Sequence, residues 1–376
     1  MLQRPVILPS PAAFLRQAGP ERPVHFFAPA VLDARLRAFQ AGFGGTVTYA
    51  VKANPAEQVL GRLWAGGIDG FDVASPDEIA LVARLCPGAA MHYNNPVRSR
   101  AEIAVGIAAG VRSWAVDEAG ELAKLIACGV PRTAEIAVRF RLAVKGAAYD
   151  FGAKFGASEA EAPALLAQVA QAGYRPALTF HVGTQCADPA AFTAYVRAAA
   201  RIAAAAGVAI ERLNVGGGFP CARDGQPVDL GAFFAAIRAG LADFAKAPAL
   251  VCEPGRGMVA DAFAYAVPVK SIRPGRVYLA DGIYAGLAEF ASMALPAYRV
   301  LGPDGPRTGA PNWQTVFGPT CDSLDRIPGE VALPGDLAEG DWIVFSAMGA
   351  YLTGMTTRFN GYGEWQTVTV AALGVI

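Results

Sequence analysis

The amino-acid sequence predicts a (β/α)8 barrel followed by a β-rich domain, and three observations carry that reading. Eight short apolar segments alternate with amphipathic or Ala-rich stretches between about residues 46 and 256, which is the count of a closed eight-fold barrel. Beyond residue 260 the alternation stops, and strand-like segments separated by Pro and Gly turns take over. The 376 residues suffice for one barrel of about 250 residues and a smaller partner domain. An open doubly wound sheet would carry a Gly-rich turn after its first strand. Here the first strand runs into Lys52-Ala53-Asn54-Pro55.

The barrel strands are expected at Thr46–Val51, Gly70–Ala74, Ala90–Tyr93, Ser113–Val116, Ile136–Phe140, Leu178–Val182, Arg212–Val215 and Leu250–Glu253. Each is short, apolar and rich in β-branched or aromatic residues. Between them helices are expected at Ala56–Ala65, Pro76–Leu85 with Ser75 as N-cap, Ser99–Ala108, Glu118–Ala127, Glu159–Ala172, Pro189–Ala206 and Leu230–Phe244. The second domain reads as strands at Ala264–Ile272, Val277–Leu279, Trp313–Phe317, Trp342–Phe345 and Gln366–Val370, with residues 302–312 as an exposed loop. Val24–Phe27 is a candidate to pair with that sheet. The expected division is a barrel over residues 25–260 and a β-rich domain formed by 1–24 and 261–376.

Composition narrows the function classes. Formal net charge is zero and no run of like charges occurs, which disfavours nucleic acid or an anionic membrane surface as partner. The first 24 residues lack a continuous apolar segment, and no stretch approaches the ~20 apolar residues of a membrane span. A cytoplasmic protein is expected. Six scattered cysteines without a C-x-x-C pair read as free thiols of a reducing compartment. Three histidines without an H-E-x-x-H pattern predict no metal.

Reactive side chains cluster at strand C-termini, the end of a barrel that carries active sites. Strand one ends in Lys52, strand two in Asp72, strand five in Arg139, strand six in His181 and Thr184, strand seven in Gly216-Gly217-Gly218, and strand eight in Glu253, Gly255 and Arg256. Lys52 stands out because the chain has six lysines against 26 arginines. A desolvated ammonium loses its proton more easily, and the resulting amine is the nucleophile of Schiff-base chemistry, including that of pyridoxal phosphate. A lysine that simply snorkels to the surface is the plain alternative. The glycine triplet lets backbone N–H groups approach an anion, and Arg256 adds a guanidinium fork; a mere turn is the other reading. A buried Glu253 needs a cationic or hydrogen-bonding partner, which a protonated pyridine nitrogen or a neighbouring Arg would supply. His181 is either a core histidine or a ring packed on a cofactor. The Gly318-Pro319 turn presents Cys321 and Asp322 on a loop, where exposure suits chemistry more than packing.

The motifs YAVKANP, FDVASPDEI, HVGTQ, NVGGGFP, CEPGRG, VFGPTCDSLDRI and MGAY occur in that order between about residues 25 and 365. They resemble the successive motifs of the fold-type III pyridoxal-phosphate decarboxylases, and within them the ornithine/lysine branch. The resemblance implies an alanine-racemase-like barrel with a C-terminal β domain, pyridoxal 5'-phosphate as cofactor, and a head-to-tail homodimer with shared sites. It gives Lys52 the Schiff-base role, His181 stacking on the ring, and Glu253 the pyridine nitrogen. Thr184, Gly217, Gly218, Gly255, Arg256 and Tyr351 fall to the phosphate, with Thr184 where many members have Ser. Asp72, Glu78 and Arg139 surround the lysine. Cys321 becomes the proton donor to the product carbon, and Asp322 the acceptor of the substrate's distal ammonium, both reaching from the other subunit.

One departure concerns that distal end. Members of the ornithine branch often carry a Tyr-Asp pair about eight residues after the Asp281-Gly282-Ile283-Tyr284 motif, and this chain has Ser292-Met293 there. Tyr284 and Glu289 are the remaining substrate-binding candidates beside Asp322. Asp322, in place of the Glu usual in diaminopimelate decarboxylases, disfavours that substrate. The expected reaction is decarboxylation of L-ornithine to putrescine, with lysine next. A racemase needs a second acid/base residue on the opposite face, against which the Cys321 loop argues. An inactive regulatory homologue would have no reason to keep Lys52 and Cys321.

Overall fold

A computed structural model describes residues 8–142 and 154–374; the ends of the two expected domains at 1–7 and 375–376, and barrel residues 143–153, lie outside the described residues. Two compact units are present, one of residues 35–220 and 228–258, the other of residues 1–34, 221–227 and 259–376. Residues 25–34 and 221–227 therefore group with the β-rich unit.

The first strand, β1 (Val24–Phe27), belongs to the β-rich unit. The next eight form the other unit's core: β2 (Thr46–Ala50), β3 (Gly70–Val73), β4 (Ala90–Tyr93), β5 (Ser113–Val116), β6 (Glu135–Arg139), β7 (Arg175–Thr179), β8 (Arg212–Asn214) and β9 (Ala249–Cys252). They close into a barrel in sequence order. Every ladder is parallel, and β2 meets β9 through Thr46↔Val251 and Val47↔Cys252. Helices cover the outside, so the strands are buried on both faces and read as apolar runs rather than alternating ones. Helix starts follow the sequence cues: the Ser75 hydroxyl accepts from the Glu78 N–H at 3.3 Å, and Ser99 with Glu102 forms a capping box.

The strand expected at Leu178–Val182 instead runs from Arg175 to Thr179. Its pairing with β6 ends at Arg139↔Thr179, while the apolar run continues because Phe180 is buried and stacks on Tyr195 at 4.7 Å. Burial outlasts the ladder here, so His181 lies on a loop beyond the strand rather than in it.

The β-rich unit holds β10 (Phe263–Arg273), β11 (Arg276–Leu279), β12 (Tyr298–Gly302), β13 (Gly305–Pro306), β14 (Pro311–Phe317), β15 (Val331–Pro334), β16 (Trp342–Phe345) and β17 (Gln366–Thr369). The order β13-β12-β16-β10-β11-β14-β15 is mostly antiparallel, and β1 pairs with β10 and β17. β10 organises both faces by its period of two. Ala264 and Ala266 point into one core with Phe26, Trp342 and Val344, whereas Tyr265, Val267 and Val269 point into the other with Val277, Leu279 and Phe345. A register shift between Val269 and Ser271 hands the strand on to β11. Residues 302–312 are only partly a loop, since strands occupy 302, 305–306 and 311–312. Gly302-Pro303-Asp304-Gly305 is the tight turn of a β12–β13 hairpin registered at Leu301↔Pro306, and β14 begins at Pro311. Turn chemistry marked the turn but hid the two strands it joins.

No described helix is long and apolar enough to cross a membrane, and no described group of three or more His, Cys, Asp or Glu side chains is arranged to hold a metal ion.

Candidate active site

A cavity of about 170 Å³ opens among the C-terminal strand ends of the barrel, lined by Lys52, Asp72, Asn94, Arg139, His181 and Glu253 together with Phe155 and neighbours. Lys52 sits in the single turn Val51–Ala53 that follows β2, and its Nζ lies 3.7 Å from Asp72 Oδ2. The expectation of a desolvated ammonium fails, because the side chain is 46 % exposed. Asp72, by contrast, is 3 % exposed. Burial raises its pKa, against the pull of Lys52 and Arg139. Glu78 is pushed up to about 7, chiefly by burial, while its Oε2 accepts the Ala74 N–H at 2.7 Å.

Glu253, just past β9 and 7 % exposed, is pushed up to about 8 by burial and then by the nearby Asp72. The Asn94 and Asn214 side-chain amides both donate to its Oε1. His181 Nδ1 accepts the Gly183 N–H at 3.0 Å. Burial, then Lys52 and Arg139, hold its pKa well below the ordinary value, so the ring is neutral, with its proton on Nε2. The Arg139 guanidinium stands 5.2 Å from the centre of the Phe155 ring.

Below these groups lies the glycine segment. Its need for glycine is partly one of packing: a Cβ at Gly216 would meet the Phe180 carbonyl, one at Gly217 would lie 2.8 Å from the Glu253 carbonyl, and one at Gly218 2.5 Å from that of Gly183. Gly216 and Gly218 also have φ of +64° and +95°. The Gly217, Gly218 and Gly255 N–H groups have no acceptor among the described residues. Arg256, 5 % exposed, donates through Nε to Thr184 Oγ1 at 3.5 Å. Spare backbone donors, a hydroxyl and a buried guanidinium are a donor set for a phosphate. With the buried carboxylate of Glu253 and an amine at Lys52, the barrel residues fit pyridoxal phosphate.

The other candidates lie in the β-rich unit. Cys321 is exposed and its N–H donates to Asn360 Oδ1 at 3.1 Å. Asp322 Oδ2 accepts the Tyr284 hydroxyl at 2.6 Å and Oδ1 the Leu324 N–H at 2.9 Å, which together lower its pKa. Glu289 is held 3.7 Å from the buried Arg223. Tyr351 has φ +64°, an uncommon conformation for a bulky residue.

Three contributors escaped sequence reading. Asn94 and Asn214 end or follow barrel strands and would have passed the strand-end filter, had uncharged amides been admitted to it. Asp325 organises the Cys321 loop: its carboxylate accepts from the Ile283 N–H at 3.0 Å, the Thr320 N–H at 3.1 Å and the Thr320 hydroxyl at 2.8 Å. Nothing local in the sequence separates it from a surface acid.

A family profile described as the pyridoxal binding domain of pyridoxal-dependent decarboxylases matches residues 30–260. The chain is similar to the ornithine decarboxylase of Mus musculus, 30% identical over 362 residues that span 88% of this chain and 77% of the relative. It is 32% identical to the lysine/ornithine decarboxylase of Selenomonas ruminantium, over 84% of this chain and 81% of that one. The crystal structure of the Paramecium bursaria Chlorella virus arginine decarboxylase superposes with a TM-score of 0.85 at 26% identity, covering 95% of this chain and 98% of the other. A matched domain of that extent, over a barrel whose strand ends suit the cofactor, shows that this chain belongs to the pyridoxal-dependent decarboxylases and is an enzyme that uses pyridoxal phosphate.

Proposed function

We propose that this enzyme removes the α-carboxylate of a basic L-amino acid, with L-ornithine giving putrescine as first choice, lysine second, and arginine or diaminopimelate after them. The observation that carries the reading is Asp322, a carboxylate held ionised by the Tyr284 hydroxyl one residue from the Cys321 thiol. It suits a substrate with a cation at the far end of a short methylene chain. The named activities of the relatives, on ornithine, lysine or arginine, share that distal cation.

Bound pyridoxal phosphate supplies an aldehyde for the substrate amine and a ring that accepts the electron pair left when CO2 departs. Lys52 is the residue assigned to hold the aldehyde, with Asp72 3.7 Å from its Nζ. Thr184, Gly217, Gly218, Gly255 and Arg256 would hold the phosphate, and neutral His181 would pack on the ring. Glu253 would pair with the ring nitrogen. Cys321, contributed by the second subunit of a homodimer, returns a proton from Sγ to the α-carbon, and Asp322 beside it binds the distal ammonium.

The test is CO2 release from ornithine, lysine, arginine, diaminopimelate and 2,4-diaminobutyrate. Ornithine is expected to lead; equal trace rates on all five refute the substrate assignment. Asp322→Ala is expected to raise KM for diamino acids ~10- to 100-fold by removing a charge-assisted contact. An unchanged KM moves the specificity role elsewhere.

A further inference from the structure

We propose that Asn94, with Asn214 as a second anchor, is a positioning residue that aims one oxygen of Glu253 at the cofactor's ring nitrogen. The inference rests on the reading of Glu253 given above. Asn94 follows β4, Asn214 ends β8 and Glu253 follows β9, so three strand ends converge on one carboxylate. Both side-chain amides donate to the same oxygen, Oε1. Oε2 takes no hydrogen bond among the described residues, and Glu253 lines the cavity. A carboxylate pinned through one oxygen presents the other in a fixed direction.

The Asn94 hydrogen bond favours the ionised form of Glu253, against burial and the repulsion of the nearby Asp72 carboxylate. The other end of the same side chain is unrewarded: Asn94 Oδ1 is buried with no hydrogen-bond partner among the described residues. A buried unpaired carbonyl is costly, and a leucine of similar branched shape would avoid it. The donor end is therefore what the position needs. Asn214 adds a second link, since its Oδ1 accepts the Gly216 N–H at 2.9 Å and ties the carboxylate to the glycine segment. Burial pushes Glu253 up to about 8 and the Asn214 hydrogen bond opposes this, which agrees with amides that keep it an acceptor.

The experiment compares the affinity of the cofactor-free enzyme for pyridoxal phosphate with that for an analogue carrying C–H in place of the ring nitrogen, by fluorescence or absorbance titration. The wild type is expected to prefer pyridoxal phosphate ~10-fold or more, as a charge-assisted hydrogen bond implies. Asn94→Leu is expected to cut that preference to roughly threefold or less. A merely structural role would weaken both ligands alike and leave the ratio intact, which would overturn the proposal. Should Asn94→Leu fail to fold, Asn94→Ala, which also removes the donor, gives the same readout. A wild type that binds the two equally would instead refute the assignment of Glu253 to the ring nitrogen.

Discussion

Lys52 meets Asp72 at 3.7 Å from a side chain that is nearly half exposed, so its reactivity must come from its neighbours and its accessibility rather than from burial. Lys52→Ala is expected to abolish the visible absorbance of the bound cofactor and to lower kcat by on the order of 10³ or more; retained absorbance would reassign the amine. Glu78 permits a pH prediction. Its folded pKa of about 7 exceeds the ordinary 4.5, so below pH 4.5 both folded and unfolded chains hold the proton and stability is full. As pH rises toward 7 the unfolded chain releases it first, and stability falls by up to roughly 3 kcal/mol. Glu78→Gln keeps an acceptor for the Ala74 N–H and should flatten this decline in urea titrations of the cofactor-free protein between pH 5 and 8. At this scale the sequence was readable wherever a charged or nucleophilic residue closed a strand: Lys52, Asp72, Arg139 and Glu253 line one cavity. Asn94 was not readable, because its importance lies in which oxygen of Glu253 it touches.

Among the elements, the Gly318–Asp322 segment depends on a buried acid three residues beyond it. Asp325 collects three donors from Ile283 and Thr320, and removing it leaves these half-buried groups without that acceptor. Asp325→Ala is expected to cost about 1 to 3 kcal/mol in chemical denaturation. A loss below 1 kcal/mol would show that the loop stands without it. The alternation of strands and helices made the barrel legible, since eight parallel strands buried on both faces leave continuous apolar runs. The β-rich unit was harder. β12 and β15 are short, partly exposed and joined by turns rich in Gly and Pro, so their pairing comes from distant partners and not from local pattern.

For the whole molecule, the proposed homodimer with shared sites makes a quantitative forecast. Lys52→Ala and Cys321→Ala are each expected to be nearly inactive alone. Mixed and allowed to exchange subunits, they should recover about one quarter of wild-type activity, because about half the dimers are hybrids with one intact site of two. No recovery on exchange, with hybrids demonstrated by tagged subunits, would place both residues in the same chain's site.

The carboxylate of Asp325 leaves no room for a Cβ at either Gly282 or Gly318. A side chain at either glycine would collide with the carboxylate that holds the loop. Laboratory evolution toward longer or shorter diamino acids would do well to hold the three constant and diversify the exposed Ser323 and Leu324 instead, where substitutions leave the clamp untouched.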